Sequence, residues 1–176
     1  LENYYGIEPG GPKNKMCLVD AATGKILWGI DRQTRHVHHC GLCSDIDPRH
    51  PGAECYSADT NEKKHFAWGL LHTAKGELIE AENLRGMGPR AVYWDADLQR
   101  ELLDGAKIMK FRGAQLPPKI EGNLVAVADV AGDWREEIVT SVPGELRIYS
   151  TTVPATDRRV CLMRDPIYRM DVVVAA

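Results

Sequence analysis

The sequence predicts an all-β protein with the architecture of a β-propeller, or of part of one. Short strand–turn–strand segments recur along the chain, and most of them follow a loop rich in aspartate and glutamate. Helical periodicity extends over no more than a turn or two, with residues 97–103 as the single candidate. With 176 residues, 44% of them hydrophobic, the chain is long enough to bury a core. We therefore expect residues 1–176 to form a single propeller-type region.

The clearest repeat is the segment VADVAGDWREEIVTSVPGELRIYS, residues 127–150. Apolar residues alternate on both sides of Pro143-Gly144, a typical turn dipeptide between two strands. Three acids precede this hairpin at positions 1, 5 and 9 of a loop: Asp129, Asp133 and Glu137. Such spacing is typical of a loop that offers several oxygens to a hard cation such as Ca²⁺.

The same unit recurs earlier in the chain. One copy turns at Asp104-Gly105 and another at Gly76, while an N-terminal copy keeps a hairpin around Gly24 without an acid loop. The acid loops of the first two contain six carboxylates: Asp95, Asp97 and Glu101 in one, and Asp45, Asp47 and Glu54 in the other. The first acids of successive loops lie 50 and 34 residues apart. Because four-stranded blades have about this length, the chain contains three to four blade-like repeats.

Two explanations fit a single acid loop. Aspartate and glycine are ordinary turn residues, so one loop alone indicates no more than a polar turn. Three loops in the same position before a hairpin favour a shared role, in which bound Ca²⁺ or carboxylate-to-backbone hydrogen bonds hold two strands of a blade together. We predict structural Ca²⁺ at these nine acids rather than a catalytic metal.

Charge and hydropathy argue against two classes of partner. The formal net charge of −3 provides no basic surface for nucleic acid. No apolar run approaches the roughly 20 residues that a membrane-spanning helix needs. The chain starts at Leu1 without an initiator methionine or the basic segment of a signal peptide, so we expect that an N-terminal part was removed.

Histidines and cysteines cluster in TRHVHHCGLC, residues 34–43. Cys40 and Cys43 have the C-x₂-C spacing of zinc ligands and histidines adjoin them, although no second pair with the usual spacing follows. A disulfide from Cys55 to either of these cysteines is the alternative. The five cysteines leave the redox compartment open.

Three strings carry a resemblance to a known family: SDIDPRHPGAECYS, YWDADLQRELLDG and ADVAGDWREEIVTSVPGELRIYSTTVPATDRRVCLMRDPIYRMDV. They resemble the C-terminal part of the family 11 polysaccharide lyases, the rhamnogalacturonan lyases, most strongly over residues 129–171. The resemblance implies an eight-bladed, calcium-rich, extracellular propeller that cleaves the rhamnose–galacturonate backbone of pectin by β-elimination.

Members of this family are much longer than 176 residues. The resemblance therefore implies a C-terminal fragment of a larger catalytic domain, or an oligomer that completes a ring. A broken ring leaves blade edges uncovered. We expect self-association through apolar positions on such edges: Val19, Ile26 and Val172 to Val174.

Three parts of the family's site differ in this chain. Where members carry Asn-Gly-Thr-Lys, this chain has Pro118 to Glu121, with Lys119 two positions early. Cys40 occupies the place of a family arginine, and the chain ends in VVVAA where members continue to a tyrosine that contacts substrate. The activity therefore does not transfer residue by residue.

β-Elimination beside a uronate requires a cation against the carboxylate and a base for the adjacent ring proton. His38 or His39 is our predicted base, because imidazole titrates nearest neutral pH, and Arg35 or Lys119 is the predicted cation. Histidines at a polar strand end without a catalytic part are the alternative. Two other functions stay open: a non-catalytic, calcium-stabilised propeller that binds carbohydrate or a partner, and a glycoside hydrolase that uses paired carboxylates on the same scaffold.

Overall fold

The computed structural model describes residues 16–30, 41–60, 65–81, 84 and 90–175. These residues form thirteen β-strands, one short 3-10 helix and one α-helix, and the strands pair antiparallel in four sheets. The prediction of an all-β protein is confirmed. The chain divides into two compact units, residues 1–89 and 90–176. No helix within the described ranges is long and apolar enough to cross a bilayer.

The first unit contains two sheets. Its strands are β1 (Cys17–Val19), β2 (Ile26–Gly29), β3 (Leu42–Ser44), β4 (Glu54–Thr60), β5 (Phe66–His72) and β6 (Leu78–Ala81). Strands β1 and β2 form a hairpin, and β3 to β6 form a four-stranded sheet in sequential order. Buried Met16, Ile30 and Cys55, flanked by Trp28 and Trp68, pack between the two sheets.

The second unit contains the other two sheets and the α-helix. Its strands are β7 (Arg90–Val92), β8 (Glu101–Asp104), β9 (Lys107–Met109), β10 (Gln115–Leu116), β11 (Asn123–Ala128), β12 (Glu137–Val142) and β13 (Glu145–Tyr149), followed by helix α1 (Pro166–Ala175). Strands β7 to β10 form one sheet and β11 to β13 the other, both in sequential order. Six buried side chains from the two sheets and their connecting segments form the core: Val92, Trp94, Leu103, Ile108, Ile120 and Ile138.

The four predicted glycine turns are all present, which confirms the hairpins read from the sequence. The glycines adopt positive φ between paired strands: Gly24, Gly76, Gly105 and Gly144. Gly76 meets a second requirement, because a Cβ there would lie 2.6 Å from Cγ of Trp28. The Trp28 indole donates a 2.9 Å hydrogen bond to the Ala74 carbonyl, so it is held against the turn.

The helix prediction was wrong about position. Residues 97–100 form a loop and residues 101–103 belong to β8, because two loop amides, of Asp97 and Gln99, donate to aspartate side chains two residues earlier. Such local bonds compete with helical ones. The α-helix lies instead at residues 166–175, where Asp165 Oδ1 accepts the Ile167 N–H at 2.8 Å and Pro166 occupies the first turn. Its valine-rich sequence favours a strand, because valine has a high β-strand propensity.

Helix α1 exposes an apolar face. Four side chains that recur at helical spacing are 63–78% exposed: Ile167, Met170, Val173 and Val174. Of the predicted edge positions, Ile26, Val173 and Val174 are exposed, while Val19 and Val172 are half-buried. Self-association through these surfaces stays a prediction.

We expect His72 to make the stability of the first unit depend on pH. Its ring stacks on Trp28, its Nδ1 atom is buried without a hydrogen-bond partner, and burial lowers its pKa. The unfolded chain takes up a proton near pH ~6.5 while the folded state resists it, so stability is fully present above that pH and lost as pH falls through the lowered pKa. We expect the melting temperature to drop in this range, and His72→Gln to reduce the slope. The slope should persist in His65→Gln, which changes an exposed histidine.

Candidate functional site

The three acid loops share one feature, a staple made by the glutamate that begins the following strand. We name them the first (45–53), second (93–100) and third (129–136) acid loops. The staple residues are buried: Glu54, Glu101 and Glu137. In each, Oε2 accepts two consecutive backbone N–H groups of the loop at 2.9–3.4 Å, from Ile46 and Asp47, Trp94 and Asp95, or Val130 and Ala131. Charge-assisted bonds of this kind fix the loop onto its own strand.

The staple also determines how the loops correspond. When the second and third loops are aligned on the two amides that bind the staple glutamate, Asp95 occupies the same position as Ala131. In the same alignment, Asp129 occupies the position of Tyr93. The loops therefore do not present the same three carboxylates. Their second oxygens, Oε1, also differ in what they contact.

In the second acid loop a lysine lies among the acids. Lys110 Nζ is 2.6 Å from Asp95 Oδ2, 2.6 Å from Asp97 Oδ2 and 3.2 Å from Glu101 Oε1. The ligand oxygens of these acids all lie within 4.8 Å of one another, and no other group of three or more His, Cys, Asp or Glu residues does so within the described part of the chain. The ammonium group of Lys110 thus lies where a cation bound by these acids would lie.

The charges in this cluster are coupled. Burial opposes the charge of Lys110, but hydrogen bonds to Asp95 and Asp97 outweigh it and raise the lysine pKa. Burial raises the pKa of Glu101. Asp95 and Glu101 are also the paired carboxylates that a hydrolase would use, and both are engaged by Lys110.

In the third acid loop the carboxylates are satisfied by the protein itself. Asp129 Oδ1 accepts the Gly132 N–H at 2.8 Å, and its Oδ2 accepts two further backbone N–H groups at 2.7 and 3.1 Å. Glu137 Oε1 accepts the Ser150 hydroxyl at 3.0 Å. Asp133 is exposed and pairs with Arg135 at 2.9 Å. Hydrogen bonds and the Asp133–Arg135 ion pair therefore hold this loop.

In the first acid loop one buried carboxylate oxygen has no partner. Glu54 is 1% exposed, and its Oε1 atom makes no hydrogen bond. Burial raises the pKa of Glu54, and the neighbouring charges of Asp45 and Asp47 act in the same direction. Asp47 is itself buried and is bound by the Arg49 guanidinium at 2.6 Å. Of the three staple glutamates, Glu54 is the one whose Oε1 is buried without a hydrogen-bond partner, and a carboxylate oxygen is the type of ligand that a hard cation takes.

Of the four predicted catalytic residues, the structure describes Lys119, which is exposed on the segment between β10 and β11. The other three lie outside the described residues: Arg35, His38 and His39. Their roles stay predictions. Cys40 also lies outside the described residues, while Cys43 and Cys55 are free thiols on neighbouring strands.

Sequence reasoning missed a buried polar network beside the third loop. Glu136 is 3% exposed, and its Oε1 accepts hydrogen bonds from the Tyr168 hydroxyl at 2.7 Å and from Arg100 at 3.3 Å. Its Oε2 accepts the Tyr93 N–H at 2.9 Å. Burial and the charge of Glu136 raise the pKa of Tyr168, whose oxygen accepts the Asp129 N–H at 3.0 Å. The sequence contained one signal for this network, the two consecutive glutamates in Arg135-Glu136-Glu137.

Comparison with known proteins shows similarity along the whole chain. Residues 1–176 match the family described as rhamnogalacturonan lyase family 11, C-terminal domain. The chain is 36% identical over 187 residues to rhamnogalacturonan endolyase YesW of Bacillus subtilis (strain 168), covering 98% of this chain and 28% of YesW. It is 33% identical over 199 residues to rhamnogalacturonan exolyase YesX of the same organism, covering 98% of this chain and 31% of YesX.

Solved structures agree with this relationship. A crystal structure of YesW matches with a TM-score of 0.71 at 32% identity, covering 97% of this chain and 32% of that one. A structure of YesX matches with a TM-score of 0.66 at 29% identity, covering 97% and 31%. The chain spans about three tenths of the length of these relatives. The predicted resemblance is confirmed, and the chain belongs to rhamnogalacturonan lyase family 11, whose C-terminal domain it matches over its whole length.

Proposed function

We propose that this protein is a rhamnogalacturonan lyase that cleaves the rhamnose–galacturonate backbone of pectin by β-elimination. The observation that carries the proposal is the family match over all 176 residues. Both named relatives are rhamnogalacturonan lyases, one an endolyase and the other an exolyase. The engagement of Asp95 and Glu101 by Lys110 argues against the hydrolase alternative, because neither carboxylate is free for acid–base work.

The proposed architecture is a β-propeller of the eight-bladed type. Two four-stranded sheets and one three-stranded sheet, each with its strands in sequential order, support the assignment of blades. The acid loop before a hairpin in three successive repeats supports it as well. An extracellular location follows from the family resemblance and belongs to the same proposal.

The proposed chemistry uses a base and a cation on the uronate. His38 or His39 removes the ring proton adjacent to the carboxylate, and Arg35 or Lys119 neutralises the carboxylate charge that builds up during elimination. The exposure of Lys119 supports its part, because an exposed ammonium group is accessible to a polysaccharide chain.

The product distinguishes elimination from hydrolysis. We expect incubation with rhamnogalacturonan to release fragments with a new C=C bond conjugated to the carboxylate, which absorbs in the ultraviolet. His38→Gln and His39→Gln, tested singly, should separate the base from a bystander, since only loss of the base slows the rise in absorbance. New reducing ends without ultraviolet absorbance would indicate a hydrolase. A folded protein that binds the polysaccharide without cleaving it would support the non-catalytic alternative.

We further propose that the first acid loop binds Ca²⁺ as a structural ion. The unpartnered Oε1 of Glu54, with Asp45 and Asp47 nearby, supports this proposal. We expect Ca²⁺ to raise the melting temperature by binding the folded state, and Glu54→Gln, which keeps the stapling oxygen but loses the charge, to reduce this rise. Asp133→Asn in the third loop is the control and should respond to Ca²⁺ like the unmodified protein. Equal responses of the two variants would contradict the proposal.

A further inference from the structure

Two thiols face each other across the hairpin that encloses the first acid loop. Cys43 on β3 and Cys55 on β4 are direct partners in the antiparallel register, and their sulfur atoms lie 3.6 Å apart. Both are free thiols. Cys43 is exposed, whereas Cys55 is 8% exposed. A small reagent therefore reaches one sulfur from solvent while the other lies directly behind it.

We propose that Cys43 and Cys55 form a modification site that a small-molecule disulfide converts reversibly into an intramolecular disulfide. Directly opposed residues of an antiparallel pair have Cα atoms about 4.5–5.5 Å apart, and disulfides join Cα atoms about 4.4–6.8 Å apart. The strand pairing thus already provides the required backbone separation. Only rotation of the two side chains is needed to close the remaining gap between the sulfurs.

A cavity beside the pair provides room for the reagent. It has a volume of about 300 Å³, and both cysteines line it together with Met16, Trp28, Leu42 and Tyr56. Its largely apolar wall fits the carbon skeleton of a thiol reagent. During exchange, the group attached to Cys43 can therefore lie in the cavity rather than displace a strand.

The reaction proceeds in two exchange steps. The Cys43 sulfur loses its proton and attacks one sulfur of a small disulfide RSSR, forming a mixed disulfide and releasing RS⁻, which takes up that proton. The Cys55 sulfur then loses its proton and attacks the Cys43 sulfur, which releases the second RS⁻ as RSH. Two protein thiols are oxidised to one disulfide, and one RSSR is reduced to two RSH.

The consequence is a covalent link at the base of the first acid loop. Residues 44–54, which include Asp47 and the staple Glu54, lie between the two cysteines. Closing this short loop removes disorder from the unfolded chain, so we expect a rise in melting temperature of about 5 °C or more on oxidation. The exchange reaction does not require lyase activity.

The test uses glutathione disulfide on the folded protein. Remaining thiols are blocked with N-ethylmaleimide before denaturation, and the digest is analysed by mass spectrometry. We expect two thiols to be lost, a peptide pair joined through Cys43 and Cys55, the higher melting temperature, and full reversal by dithiothreitol. Cys161→Ser, outside the hairpin, should behave in the same way.

Cys43→Ser provides the matched negative variant. Because Cys43 is exposed, its replacement should leave the fold intact while abolishing the cross-link and the rise in melting temperature. A mixed disulfide that stays on Cys43, a bridge between other cysteines, or two thiols that survive excess glutathione disulfide would each overturn the proposal.

Discussion

Replacing Glu136 by alanine is expected to destabilise the second unit by about 3–5 kcal/mol. Glu136 is buried and accepts hydrogen bonds from Arg100, from the Tyr168 hydroxyl and from the Tyr93 backbone. Alanine removes all three acceptor contacts. It leaves a largely buried guanidinium, with 23% of the Arg100 side chain exposed, without its counter-charge. Uncompensated charge in a protein interior is among the most destabilising changes that a single substitution produces.

Equilibrium unfolding in urea, followed by circular dichroism, measures this effect. Glu145→Ala is the matched control, because Glu145 also pairs with an arginine, Arg147 at 2.6 Å, but on the surface. An exposed pair contributes about 0–1 kcal/mol. If the two variants unfold at the same urea concentration, Glu136 does not stabilise the unit in the way its contacts indicate.

Replacing Lys110 by methionine is expected to destabilise the protein by about 2–3 kcal/mol in the presence of a chelator. The ammonium group forms ion pairs with three carboxylates, and one of these, Glu101, is 1% exposed. The expected cost lies below that of breaking a fully buried pair, because 36% of the Lys110 side chain is exposed to solvent. Methionine keeps the unbranched shape and most of the length of the side chain and removes its charge.

Calcium should restore part of this loss. The three acids that Lys110 leaves behind have ligand oxygens within 4.8 Å of one another, close enough to contribute three of the oxygen ligands of one hard cation. Lys107→Met is the control, because Lys107 is exposed and lies three residues before Lys110, at the start of β9; it should change neither stability nor its response to Ca²⁺. A Lys110→Met protein as stable as this control in chelator would show that Lys110 is not the cation of the second loop.

The hairpins and the acid loops could be predicted from the sequence because their signals are local. A glycine between two alternating apolar runs indicates a turn whatever lies elsewhere, and Gly24, Gly76, Gly105 and Gly144 all form one. The carboxylate spacing likewise indicated loops with a structural role. The partners of the carboxylates in each loop depend on contacts between residues far apart along the chain. The spacing of the acids in the sequence does not reveal these contacts.

Lys110 illustrates this limit. It follows Glu101 by nine residues, beyond a turn, and the β8–β9 register brings its side chain back to the acids. Glu136 and Glu137 illustrate a second limit of prediction from the sequence. The side chains of consecutive residues near a strand point in opposite directions. Glu137 staples its own loop while Glu136 binds Tyr93, and the letters EE do not distinguish them. Helix α1 was missed because its valines favour strands when judged alone.

The three staple glutamates have different partners, and this difference affects the media in which the protein stays folded. A bound ion departs when its free concentration falls below its dissociation constant. Lys110 is attached to the chain, so its effective concentration at the acids is fixed by the fold, and no chelator can remove it. We therefore expect the second and third loops to stay closed in calcium-poor surroundings. If the first loop binds Ca²⁺ as proposed, the stability of this protein should depend on calcium mainly through that loop, where Glu54 Oε1 has no hydrogen-bond partner.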